Sequence, residues 1–299
     1  MRLWVDTDFG FDDLWALLLL RRYGARVDGM SLVAGNTPLP QVIANAQGAA
    51  KAYGFDTPLY AGAAQPLVRP QETAERILGA TGMMTRDRTL PSVEAPALPP
   101  AIAALADWLT QDGPRPVLAL GPLTNLAQLI QDHPETAQKI TRLVWMGGSN
   151  GPGNHSPQAE FNALADPDAA AIVAASGIPL DVIDLEICRQ ARFGPDDLPA
   201  TDPLTADLLG GYLDIGLSRG RPGMAIYDPV AALAMVRPEA FAFVPQRLTV
   251  STTPDNSYGA TRFTADPTSP TRLAMAPREP LAPLCLDALK EEVSNDLSQ

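Results

Sequence analysis

Leu3-Trp4-Val5-Asp6-Thr7-Asp8-Phe9-Gly10-Phe11-Asp12-Asp13 opens with an apolar run too short for a helix. The run gives way to a turn rich in aspartate and glycine, and residues of helical period follow over about 12–22. That is a buried strand passing through a loop into a helix. The pattern recurs: Met30 to Ala34, Val117 to Leu120, Leu143 to Met146 and Leu180 to Ile183 are apolar runs bounded by turn signals. Candidate helices over 40–53, 100–111, 124–131 and 167–176 lie between them, long enough for βαβ crossovers. Such alternation defines an α/β fold with an open, mainly parallel, Rossmann-like sheet flanked by helices. The C-terminal third is less regular, with helices predicted near 203–218, 228–236 and 283–292 and a strand over 247–251. No linker or internal repeat interrupts the 299 residues, so a single domain over 1–299 is expected.

With 34 acidic against 22 basic residues and a net charge of -12, the chain is unsuited to nucleic acid polymers or anionic membranes, which attract cations. A small neutral or cationic ligand fits better. The N-terminus lacks a charged n-region, an apolar h-region and a cleavage site, and no run approaches the ~18 apolar residues of a membrane helix. A cytoplasmic protein is expected. Cys188 and Cys285, far apart and without CxxC spacing, read as buried apolar residues rather than a disulfide or thiolate site.

In open parallel sheets, ligands bind beyond the carboxyl ends of the strands. The residues just after the proposed strands are Asp6 to Asp13, then Gly35-Asn36, then Gly121-Pro122-Leu123-Thr124-Asn125, then Gly147-Gly148-Ser149-Asn150. All are polar or glycine-rich. Asp6, Asp8, Asp12 and Asp13 on one turn repel each other strongly unless a cation neutralises them. With no His or Cys nearby, the donors are all oxygen, which selects calcium or magnesium over zinc. Helix capping by Asp12 would account for one of the aspartates and leave the others unexplained.

The stretch Val5 to Asp13 resembles the N-terminal signature of nucleoside hydrolases, an Asp-x-Asp-Pro-Gly-x-Asp-Asp pattern, with Phe9 where proline is usual. The resemblance continues in the family's order. It runs through Val33-Ala34-Gly35-Asn36 with Asn45-Ala46, Pro58-Leu59-Tyr60-Ala61-Gly62-Ala63 with Pro66-Leu67, and Leu120 to Ala127. Met146-Gly147-Gly148, Gly153-Asn154, Ala159-Glu160-Phe161-Asn162, Asp166-Pro167 and Tyr227-Asp228-Pro229-Val230-Ala231 complete it. This similarity implies the nucleoside hydrolase fold and a calcium-dependent hydrolase acting on the N-glycosidic bond of ribonucleosides, giving ribose and free base for purine and pyrimidine salvage. It implies that Asp8, Asp13, the carbonyl of Thr124 and Asp228 hold Ca²⁺. It further implies that Asp12 and Asn36 bind the ribose 2′ and 3′ hydroxyls, and that Asn154, Glu160 and Asn162 reach the 5′ and 3′ side. Asp6 would orient the metal ligands, and a homodimer or homotetramer is implied. Each residue has a plainer reading: Asp228 before Pro229 and Asp166 before Pro167 suit helix N-caps, preferred for Asp166, while Glu160 and Asn162 could be ordinary exposed positions.

N-glycoside cleavage passes through an oxocarbenium-like state, so an enzyme can activate water, stabilise the sugar cation and assist the leaving base. Asp8 is the expected base toward water. Leaving-group help is harder to place, because the positions where relatives carry histidine hold Leu78 and Tyr227 here. Tyr227 is a candidate donor; departure aided by stacking or bulk water, and a substrate with a better leaving group, stay open. Of the chain's two histidines, His133 reads as a surface turn residue, and His155 is either a loop histidine or a group at the sugar or base. Met83, Met84 and Arg86, in the segment where base-pocket residues are expected, give an apolar wall, with simple core or lid packing as the plainer reading. Competing readings are a haloacid dehalogenase-like phosphatase, disfavoured by Gly10 and by the lack of lysine between Lys51 and Lys139, and a non-catalytic nucleoside-binding homologue.

Overall fold

The computed structural model describes residues 1–94 and 96–290. Strand β1 (Arg2–Thr7) is buried from Leu3 to Thr7, since it runs mid-sheet with helices on both faces. Parallel strands follow on one side as β2 (Arg26–Leu32) and β3 (Leu59–Ala61), and on the other as β4 (Pro116–Ala119), β5 (Arg142–Met146) and β6 (Leu180–Ile183). A small ribbon pairs β7 (Arg192–Phe193) with β8 (Met224–Ala225). The far edge comprises β9 (Phe241–Val250), β10 (Thr261–Ala265) and β11 (Thr271–Pro277), in the overall order β10-β9-β11-β6-β5-β4-β1-β2-β3. Strand β11 joins β6 in parallel, whereas β9 is antiparallel to both β11 and β10. The chain therefore winds outward from β1 in two directions. Between β1 and β4 the following loops separate, the switch point at which such sheets form a crevice.

Alternation along the central strands feeds two cores. Leu3 and Val5 of β1 join one apolar cluster, and Trp4 joins the other. Helices α1 (Phe11–Arg22) and α2 (Leu39–Tyr53) serve the first cluster, together with the short α3 (Glu75–Leu78). Helices α4 (Ala101–Leu109), α5 (Thr124–Asp132), the short α6 (Pro134–Ala137) and α8 (Pro167–Ala175), the last preceded by α7 (Phe161–Ala165), cover the opposite face. The short α9 (Leu185–Cys188), α10 (Pro203–Leu217), α11 (Asp228–Val236) and α12 (Leu281–Asp287) complete the first. Helix α1 packs against α11 and α10 and is buried continuously from Leu14 to Leu20, which is why it is apolar on nearly all sides. Each large side chain buried there contributes about 1.5–3 kcal/mol.

The predicted helices match to within a residue or two. The exception is the helix expected over 283–292, which forms as α12 and whose last expected residues lie outside the described ones. The strand expected over 247–251 is the end of the ten-residue β9, and neither its antiparallel pairing nor β10 and β11 was anticipated. Among the described residues no helix is long and apolar enough to cross a membrane.

Candidate active site

The loop from β1 into α1 forms the floor of a cleft at the switch point. Asp13, in the first turn of α1, accepts from the Gly10 N–H at 2.6 Å and from the Thr7 hydroxyl. Its carboxylate thereby closes the helix N-terminus, where partial positive charge favours an anion. Asp8 accepts the Asn36 N–H on Oδ2 at 2.8 Å, linking this loop to the one after β2. Gly35 permits that approach: a Cβ there would lie 2.2 Å from Asp8 Oδ2. Asp12 Oδ2 accepts the Tyr212 hydroxyl from α10 at 3.2 Å.

Asp228, at the start of α11, reaches the same point. Carboxylate oxygens of Asp12, Asp13 and Asp228 lie within 4.8 Å of one another, and Asp8 is close enough to feel both Asp12 and Asp13. Burial, reinforced by repulsion from Asp13, pushes Asp12 up to about 7; burial, against the Thr7 and Gly10 hydrogen bonds, brings Asp13 to about 6. Burial and then mutual repulsion hold Asp8 and Asp228 well above the usual carboxylate range. No lysine or arginine is salt-bridged to any of the four among the described residues. A hard, oxygen-seeking cation fits this donor set. Asp228 is hydrogen-bonded to Asp13 through its side chain rather than serving as the cap.

Asp6 is tied to the neighbouring elements. Its Oδ1 accepts from the Ser31 hydroxyl and from Asn125 Nδ2 at 2.7 Å, bracing β1 against β2 and α5, and burial raises its pKa to about 6. Thr124, the first residue of α5, is held by its hydroxyl donating to Asp166 Oδ2 at 2.7 Å. Asp166 also caps α8 through the Ala169 N–H at 3.0 Å, as expected.

The far wall comes from the loop after β5 and from α7. Glu160, expected as an exposed position in the plainer reading, is buried and caps α7. Its carboxylate accepts from the N–H groups of Asn162 at 2.8 Å, Ala163 at 3.0 Å and Gly148 at 2.9 Å, and burial lifts it to about 7. Asn162 is buried too; its Nδ2 donates to Leu120 O at 2.7 Å and Met146 O at 3.0 Å, tying two strand-end loops together. Asn154 Oδ1 accepts the Phe161 N–H at 3.0 Å. Asp8, Asp12, Asn36, Asn154, Glu160 and Asn162 all line one cleft, with Asp228 and Tyr227. Burial pushes the Tyr227 phenol up to about 12, only partly offset by the Arg221 guanidinium.

Leu78 also lines this cleft, but Met83, Met84 and Arg86 do not. Met83 is buried in the core, and Arg86 is drawn away by Asp214 at 2.8 and 2.9 Å, so on this side the cleft is lined by Ile77 and Leu78 instead. Sequence reasoning missed Tyr212, Arg219 and Arg221 in the cleft. For Tyr212 the available signal was a polar-tipped aromatic within the apolar helix 203–217.

A mainly parallel sheet with an acidic, oxygen-lined cleft at the switch point is where an α/β fold binds a small ligand. The model of the family described as inosine-uridine preferring nucleoside hydrolase matches residues 3–286, and the chain belongs to that family. It is a nucleoside hydrolase enzyme. The chain is 36% identical over 267 residues to the non-specific ribonucleoside hydrolase RihC of Salmonella enteritidis, covering 86% of this chain and 85% of that one. The plant nucleoside hydrolase PpNRh1 superposes with a TM-score of 0.88 at 25% identity, over 97% of this chain and 99% of that one. The purine-preferring ribonucleoside hydrolase from Gardnerella vaginalis gives 0.87 at 23% identity, over 97% and 98%, a likeness of fold.

Proposed function

We propose that this enzyme hydrolyses the N-glycosidic bond of ribonucleosides in a calcium-dependent reaction, releasing ribose and the free base. The observation that carries the reading is the trio Asp12, Asp13 and Asp228, with oxygens within 4.8 Å and no salt-bridged lysine or arginine among the described residues, at the foot of a cleft that also holds Asp8 and Asn36. Asp8, Asp13, Asp228 and the Thr124 carbonyl would hold the ion, with Asp12 beside it. Calcium held there would supply positive charge that lowers the pKa of a nearby water. Asp8 takes the proton of the attacking water. The surrounding carboxylates favour positive charge on the ribosyl ring as the bond to the base lengthens.

Recognition of the sugar follows from what each side chain has left to offer. Asp12 and Asn36 face the 2′ and 3′ hydroxyls. Asn162 has spent both Nδ2 hydrogens, leaving Oδ1 to accept a hydroxyl, while Asn154 has used Oδ1 and keeps Nδ2 to donate. Glu160 retains an acceptor position on Oε1. The Tyr227 hydroxyl stays protonated at neutral pH and donates a hydrogen bond toward the base. One nine-stranded sheet draws strands from Arg2 to Pro277, which supports a single domain over the chain.

Ribose release measured as reducing sugar, with inosine, uridine, adenosine and cytidine in the presence of calcium, tests the proposal. Equimolar ribose and base are expected. Nucleoside binding without turnover would make the chain a binding protein, and phosphate release from a phosphomonoester instead would make it a phosphatase.

A further inference from the structure

Departure of a purine or pyrimidine is eased by a proton, and few groups lining the cleft are free to deliver one. Asp8, Asp12 and Asp228 belong to the acidic floor, and Glu160 turns its oxygens toward three backbone N–H donors. Phenols at Tyr212 and Tyr227 are held far above neutrality by burial. Arginine does not release a proton in proteins.

His155 remains, and it is built into the site. Its side chain is 11% exposed, and its ring packs against Phe161 with centroids 5.2 Å apart. Its Nε2 lies 2.6 Å from Oε1 of Glu72. Glu72 comes from the segment leading into α3, whose Ile77 and Leu78 form the apolar wall, so the pair bridges two sides of the cleft. A carboxylate bound to one ring nitrogen fixes the ring and leaves the other for chemistry. Nδ1 has no partner among the described residues.

We propose that His155, oriented by Glu72, donates the proton that the departing base takes up. This rests on the ribosyl-hydrolase reading of the cleft. The C1′–N bond breaks with its electron pair going to the base, which receives the His155 proton. The water's hydroxyl joins C1′, and its remaining proton passes to Asp8. Asp8 then returns that proton to solvent and His155 regains one, so nucleoside plus water gives ribose plus base. Histidine suits the task because an imidazole can both release a proton to a departing base and regain one from solvent.

The test compares His155→Gln with the unaltered enzyme on inosine, uridine and p-nitrophenyl riboside, whose leaving group departs without protonation. Expected is a kcat loss on the order of 10²-fold or more with nucleosides, and a loss at least about tenfold smaller with p-nitrophenyl riboside. Glu72→Gln, which keeps an acceptor toward the ring, should lose less than Glu72→Ala on nucleosides. Inhibition by ribose reports whether the sugar site is intact in each variant. Equal losses on both substrate types, or no loss on nucleosides, would overturn the assignment of His155 while leaving the hydrolase reading standing. If the unaltered enzyme cleaves neither substrate type, the hydrolase reading fails and this proposal falls with it.

Discussion

Stripping divalent cations and raising the pH should destabilise the floor of the cleft in a defined window. Asp13 sits at about 6 and Asp12 at about 7 without a cation, and Asp8 and Asp228 are moved the same way, in each case chiefly by burial. In the unfolded chain such groups titrate near ~3.9. Between those values the folded state binds more protons than the unfolded state, so stability falls as pH rises. It is fully present below about pH 4 and lost progressively toward about pH 7. For Asp13 alone, roughly two pKa units at about 1.4 kcal/mol each cost on the order of 3 kcal/mol. At about 2–4 °C per kcal/mol this is a fall in Tm on the order of 5–10 °C. Acids such as Asp207 and Asp266, lowered by Arg88 and by Thr268 and Arg247, act with the opposite sign. Their contribution is nearly complete once the pH passes the unfolded value near ~4, so the two effects separate. Thermal unfolding followed by circular dichroism at pH 5, 6, 7 and 8, with chelator and with excess calcium, reads it out. The chelated protein should lose Tm over this range and the calcium-loaded one should hold it. A chelated protein whose Tm stays flat or rises from pH 5 to 7 would refute the reasoning.

Asp8→Asn should lower kcat on the order of 10²–10⁴-fold, the usual worth of a general base, with ribose inhibition retained; a loss below about tenfold speaks against that role. Gly35→Ala places a Cβ 2.2 Å from Asp8 Oδ2 and should cripple turnover without unfolding the protein, seen as lost kcat with Tm lowered by only a few degrees on the scale of about 2–4 °C per kcal/mol. Tyr227→Phe removes one hydrogen bond, worth about 1 kcal/mol, and should slow nucleoside hydrolysis by roughly fivefold, far less than His155→Gln; a comparable loss would move the proton to the phenol.

Apart from the three-residue β3, the central parallel strands were legible because each strand, loop and helix is encoded in contiguous residues, as in Leu3 to Leu20. The antiparallel edge was not. Strand β9 is largely half-exposed and pairs with β11 across an intervening strand, and β11 in turn lies beside β6, far back in the chain. In the cleft, Asp6 to Asp13 announced themselves by charge density within one turn. Glu72, by contrast, meets His155 only through folding, from 83 positions away, and nothing local distinguishes it from a surface glutamate. Arg86 misled because a cation near the expected base wall gave no sign of its preference for Asp214 on α10.

Calcium titrated back into chelated enzyme, verified metal-free by elemental analysis, is the most direct measurement of the central claim. Ribose release from inosine should be absent at the start and return as calcium is added, saturating at one ion per chain. Full ribose release from the verified metal-free enzyme would contradict the account.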